Sequence, residues 1–242
     1  MDLNVVYIFM LCIGASFVQR TTGFGFGIFI MTVLPFLMPS YGEATALSGL
    51  LALTTSLVIT LKLRKLISWR RLLPALLSFL VFSALAVFSL KKMDDHLLRK
   101  ILGVVLILVS VYFIFFSHRI KVKPSTAFGT GAGAVSGILG GFFGMQGPPA
   151  VLYFISSEPD KDHYMAIAQC YFLLGNIAMT FFRAGNGFVT PSVIESYLYG
   201  LGGVVAGTCL GAIVYKRIPT RIFRYIVYSY IGISGLVILF TV

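Results

Sequence analysis

The sequence is short of charge. Asp, Glu, Lys and Arg make up 11% of its 242 residues, against about a quarter in a soluble globular protein. That leaves too little polar side chain to coat a water-facing surface, which excludes a soluble domain. Acids are the scarcest, 8 against 19 basic residues, for a net charge of +11. Cysteine is rare, and Cys12, Cys170 and Cys209 lie singly inside apolar runs without CxxC spacing. They read as small core- or lipid-facing side chains and carry neither a disulfide framework nor a metal site. His96, His118 and His163 are scattered outside the apolar runs. Haem or quinone ligation would need histidine within them. A membrane-embedded enzyme would need paired acids or a nucleophile–base set at membrane depth. No ATP-binding motif occurs. The expected cofactor and metal content is none.

What is present is apolar. Hydrophobic residues reach 58% and the mean hydropathy is +0.94, which also excludes disorder. A helical span takes about 20 residues, so the chain allows at most about ten to twelve passes. The class is an all-α polytopic membrane protein. The opening Met-Asp-Leu-Asn has no basic region ahead of its apolar run, so it reads as a first membrane segment and not as a cleaved signal. The basic excess lies mostly in short loops and is explained by topology, so no nucleic-acid partner is expected.

Apolar runs between charges fall at 3–18, 23–38, 44–61, 72–90, 101–116, 126–143, 145–157, 164–182, 193–215 and 223–242. Six are near full length. The other four form two adjacent pairs, each interrupted by a glycine-rich break: Thr21-Thr22-Gly23-Phe24-Gly25-Phe26-Gly27, and Gly140 to Pro149. Long runs follow each pair, so the layout occurs twice. Ser16–Gly27 falls on Gly137–Pro148, with Gly23 on Gly144. Lys91-Lys92 falls on Lys216-Arg217, and Arg99 on Arg224. This is an internal duplication with a period of about 120 residues, dividing the chain into repeats 1–123 and 124–242. About 8–10 membrane segments are expected.

Charge sets the orientation. Lys62, Arg64, Lys65, Arg70 and Arg71 occupy one loop, Arg119, Lys121 and Lys123 a second, and Lys216, Arg217, Arg221 and Arg224 a third. With these three cytoplasmic, both termini fall outside and each half has an odd number of passes. The halves are then inverted, each a glycine-interrupted helical hairpin plus three transmembrane helices, as in many secondary transporters.

Glycine in a membrane run has two readings. Gly129, Gly131, Gly133 and Gly137, and Gly203, Gly207 and Gly211, are spaced for close helix packing. The two breaks occupy matched positions beside short runs, and 145–157 is only about 20 Å of helix. Irregular backbone at that depth needs protein or a water-filled cavity around it. Pro148 and Pro149 suit a helix's first turn. Two half-helix N-termini facing each other at the midplane form an anion site.

These residues resemble a known family, the sulfite exporter TauE/SafE family of membrane permeases. The resemblance is carried by Gln19-Arg20-Thr21-Thr22-Gly23-Phe24-Gly25-Phe26-Gly27 and by Ser136 to Pro149, and it extends over the whole duplicated chain. Gln146 departs from it, since the family usually has glycine there. The resemblance implies transport of a small sulfur-containing anion such as sulfite, a sulfonate such as sulfoacetate, or thiosulfate, usually outward across a bacterial cytoplasmic membrane. The residues alone reach a transporter for an anion by alternating access, with an anion channel as the alternative and an enzyme less favoured. Its partners are then the anion and the lipid bilayer, and a coupling proton or ion and a homo-oligomer are compatible with it.

Candidate substrate-binding residues follow. Gly23, Gly25, Gly144, Gly147 and Pro148 form the breaks. Gln19, Thr21, Thr22 and Gln146 either donate to an oxyanion or satisfy the broken backbone. Arg20 either pairs with the anion or caps the preceding helix. Ser48, Gln169 and Asn176 lie in long runs, Ser48 matching Gln169, and either contact the anion or bond helix to helix. Arg183 either snorkels to the interface or lines the anion path. Glu43, Glu158, His163 and Glu195, at run edges, read as solvated loop residues before proton carriers.

Overall fold

The computed structural model describes residues 3–116, 124–158, 160–214 and 220–241. The basic positions Arg119, Lys121, Lys123, Lys216 and Arg217, the side chains of Arg221 and Arg224, and His118 lie outside the described residues. All regular structure among the described residues is helical: α1 (Leu3–Thr22), α2 (Phe26–Ile30), α3 (Leu34–Leu37), α4 (Tyr41–Leu63), α5 (Trp69–Leu90), α6 (Asp95–Val111), α7 (Thr126–Phe143), α8 (Gly147–Ser157), α9 (Lys161–Gly185), α10 (Pro191–Val214) and α11 (Thr220–Thr241). Seven helices are long and apolar enough to cross a membrane: α1, α4, α5, α6, α7, α9 and α10. The described part of α11, Ser229–Thr241, is a shorter apolar stretch. The chain is a multi-pass membrane protein.

Local chemistry sets the helix starts. Ser40 Oγ accepts from Glu43 N–H at 3.2 Å at the head of α4. Asp94 Oδ1 accepts from Leu97 N–H at 3.0 Å before α6, and Ser125 Oγ from Phe128 N–H at 3.1 Å before α7. Asp160 Oδ1 takes the N–H groups of Asp162 and His163, both at 3.0 Å, before α9. Each occupies a donor that the first turn cannot bond internally. Asp160 is solvent-exposed, and the His163 hydrogen bonds hold its carboxyl below the usual range.

The first arm of the first broken pair is longer than its charge-bounded run suggests. α1 continues through Arg20 to Thr22, 20 residues or about 30 Å, because a charge in the last turn does not end a helix. Only the second arms are short: α2 with α3 on one side, α8 with 11 residues on the other.

Packing pairs the helices across the two halves. α1 lies along α10, α7 along α5, α4 against α9 at the centre, and α6 against α11. Exchanging α1 with α7, α4 with α9, α5 with α10 and α6 with α11 returns the same set of pairs. The glycine stripes make two of these contacts. On α7, a Cβ at Gly133 would stand 2.1 Å from Ala75 O, and one at Gly137 2.7 Å from Phe79 O, both on α5. On α10, a Cβ at Gly203 would stand 2.4 Å from Phe9 O, and one at Gly207 2.3 Å from Ile13 O, both on α1. Backbones this close gain dispersion contacts that lipid tails cannot supply. Gly131 is off the stripe, with open space around it. Outward-facing Leu77, Leu85, Phe88, Leu108 and Val205 are exposed, as a lipid-facing shell requires.

Candidate functional site: a crossing of two glycine breaks

The two breaks share one backbone solution. Gly23 N–H donates to Gln19 O at 2.9 Å, and Gly144 N–H to Gly140 O at 3.0 Å. Both glycines are left-handed, with φ of +87° and +68°. This is the αL helix stop, which costs an L-residue its Cβ clearance and suits glycine. Beyond it the halves differ. Gly25 is again left-handed, φ +99°, whereas Gln146 sits in the right-handed region at φ −87°, ψ −5°. A side chain is therefore tolerated at 146 without backbone strain.

The breaks cross at the molecular centre. A Cβ at Gly27 would lie 2.0 Å from Gly144 O, and one at Gly147 would lie 3.5 Å from Phe24 Cδ2. Residues 24–27 thus run antiparallel to 144–147, with Gly27 pressed on the Gly144 carbonyl. Beside the crossing is a cavity of about 30 Å³, lined by Gln19, Gly25–Ile28, Ala52, Gly144–Gly147, Phe172 and Asn176. That holds roughly two water molecules, less than a sulfur oxoanion needs.

The N–H groups of α8 are mostly committed. Pro148 and Pro149 have none, and Ala150 N–H donates to Ser136 Oγ at 3.1 Å. The first turn of α8 therefore brings at most one N–H, that of Gly147, to the cavity, which leaves the polar side chains to do most of the coordinating. α2 is only 5 residues long, too short for an appreciable macrodipole.

Those side chains divide into two groups. On the Gly23 side they are satisfied. Gln19 Nε2 donates to Gln169 Oε1 and to Ser56 Oγ, both at 3.0 Å, and Gln169 Nε2 donates to Gly23 O at 2.7 Å. Thr21 and Thr22 turn back on the helix, donating to Val18 O at 3.0 and 2.9 Å, and Thr22 also reaches Phe24 O at 2.6 Å. On the Gly144 side they are not. Ser48 Oγ, Gln146 Oε1, Asn176 Nδ2 and Arg183 Nε and Nη1 are buried with no hydrogen-bond partner. Gln146 makes one long bond, Nε2 to Phe172 O at 3.5 Å. Ser48 Oγ stands 3.4 Å from where a Cβ on Gly144 would be. Ser48 of α4 and Gln169 of α9 thus each meet the left-handed glycine of the opposite half.

The two candidate arginines occupy different places. Arg20 is half-buried and lines a separate cleft of about 300 Å³ with Lys62, Asp162, Met165 and Thr208. Arg183 is fully buried, at 0% exposure. Its Nη2 donates to Gly140 O at 2.9 Å, at the C-terminal end of α7, where carbonyls lack intrahelical partners. A guanidinium cap, weighed in the sequence for Arg20 at the first break, is thus supplied at the second break by Arg183. The side chain leans toward the N-terminus of its helix, as helical side chains do, and so down the α9 face that carries Asn176. A Cβ at Gly49 would meet Arg183 Nη1 at 2.8 Å and Asn176 Oδ1 at 3.8 Å, so the two share one corner of α4.

The edge acids and histidine are bonded at helix ends. Glu43 accepts from Thr190 Oγ1 at 2.9 Å, Glu158 pairs with Arg71 at 2.7 Å, His163 bonds Asp160 at 2.8 Å, and Glu195 accepts from Tyr199 OH at 3.3 Å. Among the described residues no cluster of three metal-ligating side chains occurs. Sequence reasoning missed Ser56, which completes the Gln19–Gln169 network, and Tyr41, buried with an unpartnered hydroxyl within electrostatic range of Arg183. A polar residue inside a long apolar run was the available signal for Ser56. Tyr41 at a run edge gave none.

Comparison with known proteins agrees with this architecture. The family model described as "Sulfite exporter TauE/SafE" matches residues 8–238. A curated relative from Cupriavidus necator, described as "Probable sulfite/organosulfonate exporter TauE", is 25% identical over 213 residues, covering 84% of this chain and 80% of its own. No solved structure matches. The chain belongs to the sulfite exporter TauE/SafE family.

Proposed function

We propose that the protein is a secondary permease that moves a small sulfur-containing anion, such as sulfite, a sulfonate or thiosulfate, outward across a bacterial cytoplasmic membrane. The observation that carries this reading is the central crossing: two matched left-handed glycines, Gly23 and Gly144, bring two broken helices together around a buried polar cavity. Family membership supplies the substrate class. Movement is by alternating access between two inverted halves, 1–123 and 124–242. Supporting the inversion is a packing scheme that exchanges into itself when the halves are swapped. A two-fold related crossing gives two equivalent ways to open, one past Gly23 and one past Gly144, and a site that opens to one side at a time is what a carrier needs.

Arg20 and Lys62 outnumber Asp162 in the cleft on the Gly23 side, and this net positive charge draws anions to the mouth of the path. By the basic-loop rule that mouth is cytoplasmic, as export requires. The described polar residues at the centre serve binding, and the protein is not an enzyme in this reading.

Purified protein in liposomes loaded with sulfite, sulfoacetate, thiosulfate or chloride tests it. Saturable efflux of a sulfur anion in preference to chloride is expected. Flux of none of them defeats the transport reading, and unsaturable, electrodiffusive flux replaces the carrier with a channel.

A further inference from the structure

Arg183 lacks a counterion. It is fully buried in the last turn of α9, and among the described residues no carboxylate pairs with it. Its Nη2 is taken by Gly140 O, but Nε and Nη1 have no partner. The end of α7 offers only the partial negative charge of a helix C-terminus, about half an elementary charge. Of the neutral groups with unsatisfied polar atoms, Asn176 stands beside the guanidinium at Gly49, while Ser48 lies against Gly144 and Gln146 against Gly175. Asn176 and Gln146 line the central cavity, and Gly49 places Asn176 beside Arg183. An uncompensated buried charge is strongly unfavourable, and so is each unpaired buried donor.

We infer that Arg183 is the single cationic partner of the transported anion, and that the site selects a singly charged sulfur oxoanion (a monosulfonate or hydrogensulfite) over a doubly charged one. The inference rests on the permease reading and sharpens its substrate class. One positive charge against one negative charge leaves the low-dielectric centre neutral. A dianion leaves a net negative charge buried there, and the described cavity lining itself contains no cation to offset it, Arg183 meeting the cavity only through Asn176. The donors present suit the ligand: Asn176 Nδ2, Ser48 Oγ and the two guanidinium nitrogens point hydrogen-bond donors at sulfonyl oxygens. Gln146 Oε1 is an acceptor, suited to the S–OH proton of hydrogensulfite. Thiosulfate and sulfoacetate, each carrying two negative charges at neutral pH, fit this balance poorly.

The test compares methanesulfonate, a permanent monoanion, with thiosulfate, using binding to the purified full chain and counterflow in liposomes. Methanesulfonate is expected to bind and move with saturation, and thiosulfate to bind at least about tenfold more weakly. Arg183→Gln should lose binding of both, but it also removes the α7 cap and can cost folding. Asn176→Asp is therefore the second variant: it is nearly isosteric and places a carboxylate beside Arg183. It should preserve or raise thermal stability while abolishing methanesulfonate binding, because the protein now supplies its own counterion. Thiosulfate binding as tightly as methanesulfonate overturns the charge selection and leaves the permease reading standing. Unchanged methanesulfonate binding in a folded Asn176→Asp protein reduces Arg183 to a helix cap. Failure of both anions to bind or move in the wild-type chain defeats the permease reading itself.

Discussion

The two sides of the central crossing are built from one plan and finished differently. On the Gly23 side, Gln19, Gln169 and Ser56 form a closed hydrogen-bond network that also takes up the Gly23 carbonyl. On the Gly144 side, the matched helices bring Ser48, Gln146, Asn176 and Arg183 to the centre with polar atoms unpaired. Both sides share the left-handed glycine stop, and they differ in the residue after it and in how their polar side chains are bonded. A satisfied buried network specifies one geometry and resists change. An unsatisfied one is costly until something binds. In the proposed permease the first side is then a lock on the crossing, and the second the site for the ligand.

The sharpest break of that comparison is steric. Gly27→Ala puts a Cβ into the Gly144 carbonyl and should cost about 3 kcal/mol or more, while Gly147→Ala meets only an ordinary contact with Phe24 and should be tolerated. Monodispersity of the detergent-solubilised variants and their thermal midpoints read the difference; equal loss in both would mean that the crossing is not as described. Next in size is the contrast between locked and unlocked polar groups. Gln169→Leu strands Gly23 O and Gln19, at about 2–4 kcal/mol. Asn176→Leu removes a donor that is already unpaired and should leave stability near wild type, while anion flux is lost. Equal destabilisation would erase the distinction between lock and site.

A smaller effect tests the shared part of the plan. Gly23→Ala and Gly144→Ala each force an L-residue into the left-handed region, at about 1–2 kcal/mol apiece, and the two costs should agree. A large inequality in denaturation midpoints would show that the stops are not equivalent. The smallest concerns two helix caps of different chemistry, Ser125 on α7 and Asp160 on α9. Hydrogen bonds from His163 hold the Asp160 carboxyl below its ordinary value of 3.8. A depressed carboxyl contributes stability above its unfolded-state value, and loses it as the pH falls through the folded one. Hydrogen exchange in the first turn of α9 should therefore speed up below about pH 4, while the first turn of α7, capped by Ser125 with no acid in it, should show no such step. Acceleration in both turns alike would assign the effect to something other than the cap.

Much of this fold was legible in the residues because its determinants are local. Hydrophobic runs found the membrane helices, and the run at 126–143 coincides with α7. The glycine breaks were legible because a helix stop needs a left-handed residue at one position, and Gly23 and Gly144 stand there. The small-residue stripes on α7 and α10 predicted close packing, although not that their partners would be α5 and α1. Marking runs by charge shortened α1, since Arg20 lies inside the helix and not beyond it. The candidate site was legible as a set of polar residues and not as an arrangement. Gln19, Gln169, Asn176, Gln146 and Ser48 were all visible as polar residues in apolar surroundings, but the division between bonded and unbonded members was not.

The sequence by itself determined a polytopic helical membrane protein with two glycine helix stops, at Gly23 and Gly144. Those are consequences of composition, hydrophobic run length and backbone conformation, which a residue and its near neighbours decide. Only the tertiary structure decided which arginine is buried at the centre and which faces a cleft. It alone also decided which of five similar amides and hydroxyls find partners. Arg20 stands next to its break in sequence, and Arg183 lies some forty residues from the Gly140 carbonyl it caps. Burial and hydrogen bonding at that separation depend on how α4, α7 and α9 cross, a property that no single segment carries.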